Sequence, residues 1–211
     1  MPVNWKIAND TFGENYHFAS LHKNTLGNLL HSDVATYDEY GRNHRIVVAS
    51  RYLDAMREQP ESSWRITDGA VIAYYLFPNT QLVVLNGMLA LARIFPHRKD
   101  VGKSITRVSH FALAQPAAQA EDTSGAQVLN AQNLYQADVS QRMEFTLEAT
   151  AELFVSTVEH EDYYMGTKSQ EAANSGLVEY FLFGRNEPAL HHFHNNYRSA
   201  LGQPPLAEYT P

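Results

Sequence analysis

The sequence predicts an α+β fold, a curved antiparallel sheet with helices at the start and end of the chain packed against it and an apolar cavity between them. Three observations carry this reading. Six strand-like runs between Val34 and Ala114 are joined mainly by short turns, with no long helix between them to act as a parallel crossover. Helical patterns flank that block on both sides. Hydrophobic residues make up 44% of the 211, with 12 Tyr and 10 Phe, enough apolar surface for one sizeable core and marginal for two, so residues 1–211 are expected to form one domain.

Taken in order, residues 4–8 read as a short strand, followed by a helix through Asp10–His22 with Asn9 or Asp10 as its N-cap. A short helical stretch is expected over Thr25–Leu30. Val34–Tyr40 and His44–Ser50 flank Gly41-Arg42-Asn43, a hairpin signal. Tyr52–Gln59 reads as a short helix closed by Pro60. Ala70–Phe77, Leu82–Asn86, Leu89–Phe95 and Ser104–Ala114 supply four more strands, and Val71–Phe77 is apolar on both faces, as in a strand covered on both sides. Gln115–Gln141 has weak periodicity and is expected to be a long loop, with a lid as one use. From Met143 onward a helix is expected, with Leu147, Ala151, Phe154, Val155, Val158 and Met165 as its apolar stripe. Ser175-Gly176 should stop it, Leu177–Phe183 looks like a strand, and Pro188 suits the first residue of a last helix running to about Leu201.

The composition excludes several functions. Cysteine is absent, which removes disulfides, thiol catalysis, thiolate zinc sites and cysteine-held iron–sulfur clusters. Net charge is −7 and the 16 basic residues are scattered, so no nucleic-acid surface is expected. No apolar run is long enough to cross a bilayer and no leader is visible, so a cytoplasmic location without membrane attachment is expected. Any metal must therefore be held by carboxylates and the ten histidines.

Asp10, Glu14, His17 and Leu21 are spaced by four, three and four, one face of a helix. That face is either solvated or built to hold something. His22 follows His17 by five, so an ideal helix would turn it away; a helix end or a π-bulge near Gly13 would bring both imidazoles together. Two histidines and one carboxylate with open positions suit non-haem Fe(II) oxygen chemistry. Asp162 falls within the later apolar stripe, where an unpaired carboxylate is costly; Glu161 borders the same stripe, and periodicity does not choose between them. Phe18 and Val158 are the expected pocket wall. His191, His192 and His194 form a denser cluster, for which a structural role is the default because no carboxylate completes it.

The run Asn4-Trp5-Lys6, then Gly13-Glu14-Asn15-Tyr16-His17-Phe18 and His22, resembles the catalytic domain of the α subunit of Rieske-type aromatic-ring-hydroxylating oxygenases. Val158-Glu159-His160-Glu161-Asp162 is similar to that family's carboxylate-ligand segment, and Gly184–His194 to its C-terminal segment. The three blocks occur in the family's order across essentially the whole chain. The resemblance implies a helix-grip fold and a mononuclear Fe(II) held by His17, His22 and Asp162. It also implies an oxygenase, mono- or dioxygenase, that hydroxylates an aromatic or other small apolar substrate with O2. It places Glu14 where the family usually has Asp, as the link to the Rieske cluster of a neighbouring subunit, with Asp10 behind the ligands. It further implies a homotrimer. The Cys-x-His and Cys-x-x-His signature of the 2Fe–2S domain is absent from this sequence, so the electrons are expected from a separate Rieske-bearing donor. The alternatives are a non-catalytic helix-grip ligand-binding domain or an inactive fragment of an α subunit. A zinc hydrolase is weaker, for want of a His-Glu-x-x-His arrangement.

Overall fold

The structure, a computed structural model, describes residues 1–112, 125–130 and 132–209. Helix α1 (Trp5–Asp10) opens the chain, and the Asn4 side chain accepts the Lys6 backbone N–H at 2.9 Å to cap it. This corrects the strand expected over residues 4–8. Asn9 and Asp10 end the helix instead of starting one. The expected Asp10–His22 helix is replaced by turns and a 3-10 segment, Tyr16–Ala19. Helix α2 (Leu26–Leu29) follows.

Six strands then form an antiparallel meander in chain order: β1 (Leu30–Tyr40), β2 (Asn43–Ser50), β3 (Ala70–Leu76), β4 (Thr80–Leu85), β5 (Met88–Pro96) and β6 (Ser104–Ala112). Between β2 and β3 lie the short helices α3 (Tyr52–Met56) and α4 (Ile66–Gly69). The β4–β5 turn needs φ of 44° at Asn86 and 77° at Gly87, a pair that Asn-Gly tolerates best. Strand β3 is only half covered, and Leu76 is exposed.

Two short parallel strands, β7 (Gln127–Leu129) and β8 (Met143–Phe145), precede helix α5 (Leu147–Thr157). Much of the loop expected over Gln115–Gln141 lies outside the described residues. A π-helical turn, Val158–Asp162, joins α5 to α6 (Tyr163–Asn174). The buried face here is Ala149, Thr150, Leu153, Thr157 and Val158, whereas Leu147, Val155 and Met165 of the expected stripe are exposed. Two buried threonines, which hydropathy scores as polar, explain the misphasing. Gly176 at φ +72° ends α6. Leu177–Phe183 makes no strand among the described residues, and Leu177, Tyr180, Phe181 and Leu182 are exposed. Helix α7 (Pro188–Ala200) begins at Pro188 as expected.

One face of the sheet carries helices at one end and the cavity at the other. Ile46, Ala73, Val83, Ala90 and His110 stand opposite one another across β2 to β6 and so share that face. The two alanines remove bulk from the middle of the row, leaving room above it. Further along, Tyr75 meets Phe193 of α7 edge-on at 5.3 Å, and Trp5 of α1 meets Tyr197 at 5.1 Å. These contacts clamp both terminal helices onto the sheet.

His44 of β2 lies in this clamp, stacked on Tyr75 at 4.8 Å with its Nδ1 3.0 Å from Nδ1 of His192. Burial, and then the neighbouring His192, push its pKa down to about 3. The folded chain keeps it neutral while the unfolded chain takes up a proton below about pH 6.5. Its contribution is therefore intact above pH 6.5 and is lost as pH falls toward 3, by about 1.4 kcal/mol per pH unit. Urea unfolding at pH 7 and pH 5 should show a smaller acid loss for His44→Phe than for the wild type; parallel losses would refute the assignment.

Candidate metal centre

Two segments far apart in sequence build the site. The first is the turn after α1. Gly13 lets it pass under α7, because a methyl there would lie 2.1 Å from Cδ2 of Leu190. The 3-10 segment then carries His17, and a further turn carries His22. No α-helical period governs residues five apart in such a chain path, and the two Nε2 atoms come to 3.0 Å from each other. The second segment is the π-turn, in which the Tyr163 N–H reaches back to the Val158 carbonyl. Its wider turn aims two consecutive carboxylates at one ring. Oδ1 of Asp162 is 3.1 Å from Nε2 of His22, and Oε2 of Glu161 is 2.7 Å from Nδ1 of the same imidazole. Periodicity offered Asp162 or Glu161; the fold uses both, on opposite nitrogens.

His22 is fully buried and Asp162 nearly so. His17 Nε2 is 3.4 Å from Asp162 Oδ1, and its Nδ1 hydrogen-bonds Glu14 Oε1, while Glu14 Oε2 accepts the His17 backbone N–H at 3.2 Å. Each Nδ1 faces a carboxylate oxygen, an acceptor, and so is assigned the hydrogen. Both Nε2 lone pairs therefore converge with a carboxylate oxygen, three acceptors and no donor. Such a set calls for a cation. Burial opposes a charge on His17, but hydrogen bonds to Asp162 and Glu14 outweigh it and push its pKa up to about 9. A proton thus fills this need when nothing else does.

The donor set fits a metal ion. Atoms about 2.0–2.2 Å from one ion and about 90–110° apart lie roughly 3.0–3.4 Å from each other, the spacing seen among His17, His22 and Asp162. The Nδ1–carboxylate bonds are the outer support that metal-bound imidazoles ordinarily have. Among the described residues this trio is the group able to hold a metal ion. His191, His192 and His194 instead bond the Phe183 carbonyl, the Gly41 carbonyl and Asp10, respectively.

Asp10 does not reach the trio. Its Oδ1 is 2.9 Å from Nε2 of His194, and burial raises its pKa against the pull of that imidazole. Sequence reasoning misses Thr25, whose hydroxyl donates to Glu161 Oε2 at 3.0 Å, and offers Glu161 only as an alternative to Asp162. The only available signal was the adjacency of two acids bordering one apolar face. Phe18 and Val158 both line the cavity, and the Phe18 ring is 4.9 Å from that of His17, edge-on. The cavity, of about 140 Å³, opens against His17, His22 and Asp162 and is otherwise walled largely by apolar side chains.

A family model described as ring hydroxylating alpha subunit (catalytic domain) matches residues 1–203. The chain belongs to this family. Among solved structures, this ring-hydroxylating domain is similar to a quaternary ammonium Rieske monooxygenase studied for carnitine oxidation by gut microbiota and inter-subunit electron transfer. That match has 14% identity and a TM-score of 0.59, covering 96% of this chain and 47% of the other. It is also similar to the quaternary ammonium Rieske monooxygenase CntA in complex with an inhibitor, with 14% identity, a TM-score of 0.53, and coverage of 82% and 38%. The ring-hydroxylating domain spans under half the length of either protein, and at this identity the likeness is one of fold. No curated protein matches the sequence. No described helix is long and apolar enough to cross a membrane.

Proposed function

We propose that this domain is the catalytic part of a Rieske-type non-haem Fe(II) oxygenase that hydroxylates a small, mainly apolar substrate, aromatic or similar in size, with O2. The observation that carries the proposal is the convergence of His17 Nε2, His22 Nε2 and Asp162 Oδ1 on one point at the cavity wall. Two imidazoles and one carboxylate would hold an iron ion and leave it positions open to O2, as iron-dependent oxygenases require. Bound there, Fe(II) would supply the redox chemistry for O2 activation.

The chain's own residues do the rest. Glu14 and Glu161 fix the ring orientations of His17 and His22 and hold their Nδ1 protons. Phe18, Val158 and the alanine-lined sheet face hold the substrate beside the ligands and keep bulk water out. A cavity of about 140 Å³ suits a molecule the size of one substituted ring. Glu14 holds Nδ1 of His17, its side chain 14% exposed, and is followed by the half-exposed Tyr16. That position favours it as the point where electrons from a Rieske-bearing partner reach the site, in a trimer or from a separate chain. In Glu14 the carboxylate stands one methylene further out than an aspartate would carry it.

Metal analysis after anaerobic loading with Fe(II) should give about one iron per chain, removed by a chelator and restored by reloading. With a chemical reductant and O2, the loaded protein should hydroxylate styrene-sized aromatics. Equal binding of such probes with and without metal, and no retained iron, would favour a non-catalytic ligand-binding domain instead.

A further inference from the structure

None of the described residues lining the cavity is exposed, yet a cavity that serves a substrate must fill and empty. A second, outer pocket of about 360 Å³ lies against it, between α3, the loop before α4 and Arg142, the residue before β8. Gln59, Ser62, Ser63 and Trp64 line this outer pocket and are exposed, so it opens to solvent. Asp68 of α4 lines both spaces. The chain crosses from one to the other at β8 as well, where Arg142 lines the outer pocket and Met143 the cavity. What joins these two points is an ion pair, Arg142 Nε to Asp68 Oδ2 at 3.1 Å, with side chains 20% and 12% exposed.

Elsewhere the wall is largely apolar side chains packed on one another, such as Leu30, Val48, Leu85 and Phe145. Parting those would bring apolar surface into water, which is costly. An ion pair within reach of solvent is different, because water and counter-ions replace what its partners lose, and its net worth is small. We propose that the outer pocket is the substrate entrance and that Asp68 and Arg142 are its gate, parting to admit a small apolar molecule and closing behind it. This rests on the cavity being the substrate site, as proposed above. Closed, the pair keeps bulk water from the cavity; open, it leaves a polar passage no longer than one residue.

Fluorine exchange NMR with para-fluorostyrene as the probe reads entry rate, exit rate and Kd in one sample of the metal-free protein. Asp68→Ala should raise both rates about threefold, the worth of one solvent-reached ion pair. Ser62→Trp adds bulk at the exposed mouth and should lower both rates by about threefold or more. In each variant Kd should stay within about twofold of wild type, because a gate alters the barrier and not the bound state. Ser199→Trp, exposed on α7 and lining neither space, should exchange as the wild type does. A wild type that binds no probe overturns the substrate cavity and the entrance together. A bound probe whose rates either Asp68→Ala or Ser62→Trp fails to move overturns the entrance alone. So does a changed Kd at an unchanged entry rate, since Asp68 would then be only a piece of the wall. Should Asp68→Ala not fold, Ser62→Trp measured against Ser199→Trp decides.

Discussion

His22→Ala should abolish metal binding, leaving under about a tenth of an iron per chain after loading. His22 is the hub of the site. Its Nε2 faces His17 and Asp162, its Nδ1 faces Glu161, and it has no exposed surface. Alanine removes a ligand and also leaves Asp162, 6% exposed, and Glu161 without their common partner. Asp162 keeps His17 at 3.4 Å and Glu161 keeps Thr25, so the cost is that of a lost buried hydrogen bond, about 1–3 kcal/mol, and the metal-free variant should also unfold at lower urea. His160→Ala is the control: it lies one residue from Glu161 but is exposed, and should load iron as the wild type does. Iron retained by His22→Ala would refute the proposed metal site.

Gly27→Ala should have an effect nearly as large, from a residue that touches no metal ligand by its side chain. Gly27 donates its N–H to the His22 carbonyl at 2.8 Å. A methyl at Gly27 would lie 2.7 Å from the Phe18 carbonyl oxygen and 2.9 Å from that of His22. Both are main-chain atoms that cannot rotate aside, so the turn carrying His17 and His22 must move. Overpacking of this kind costs about 2–3 kcal/mol, and the displaced turn should weaken iron retention at least tenfold. Gly102→Ala, where the nearest atom is a side-chain oxygen of Asp100 at 3.3 Å, should be near neutral in both. Chemical denaturation and metal competition measure the two effects separately, and wild-type values for Gly27→Ala in both would remove the turn from the account.

The sheet was readable because its signals are local. Gly41 and Asn86-Gly87 punctuate hairpins, and each strand between them is bounded by its own turn. Asp162 was readable because an acid within an apolar stripe needs a partner wherever the stripe goes. Other features were not local. Trp5, Ala8 and Asn9 are the buried residues of α1, yet six residues are too few to distinguish helix from strand by period. Leu177–Phe183 has strand composition, but a strand is defined by the neighbour that bonds it, and none is found among the described residues. The meeting of His17 and His22 depends on turns that have no period at all. Glu161 could not be separated from Asp162 because a π-turn changes the angle between successive residues, and nothing in the composition marks where the wider turn falls.

That wider turn also makes the site sensitive to chain length. Val158–Asp162 holds one residue more than an α-helical turn would. Excising a single codon within it would let α5 and α6 run on as one regular helix, at little cost to their own hydrogen bonds. The register between the two helices would then change by about 100°, and Glu161 and Asp162 would no longer both face His22. The proposed metal constellation is thus encoded partly as an insertion, and a lineage could lose its carboxylates from the pocket while every residue type that makes them remained in the gene.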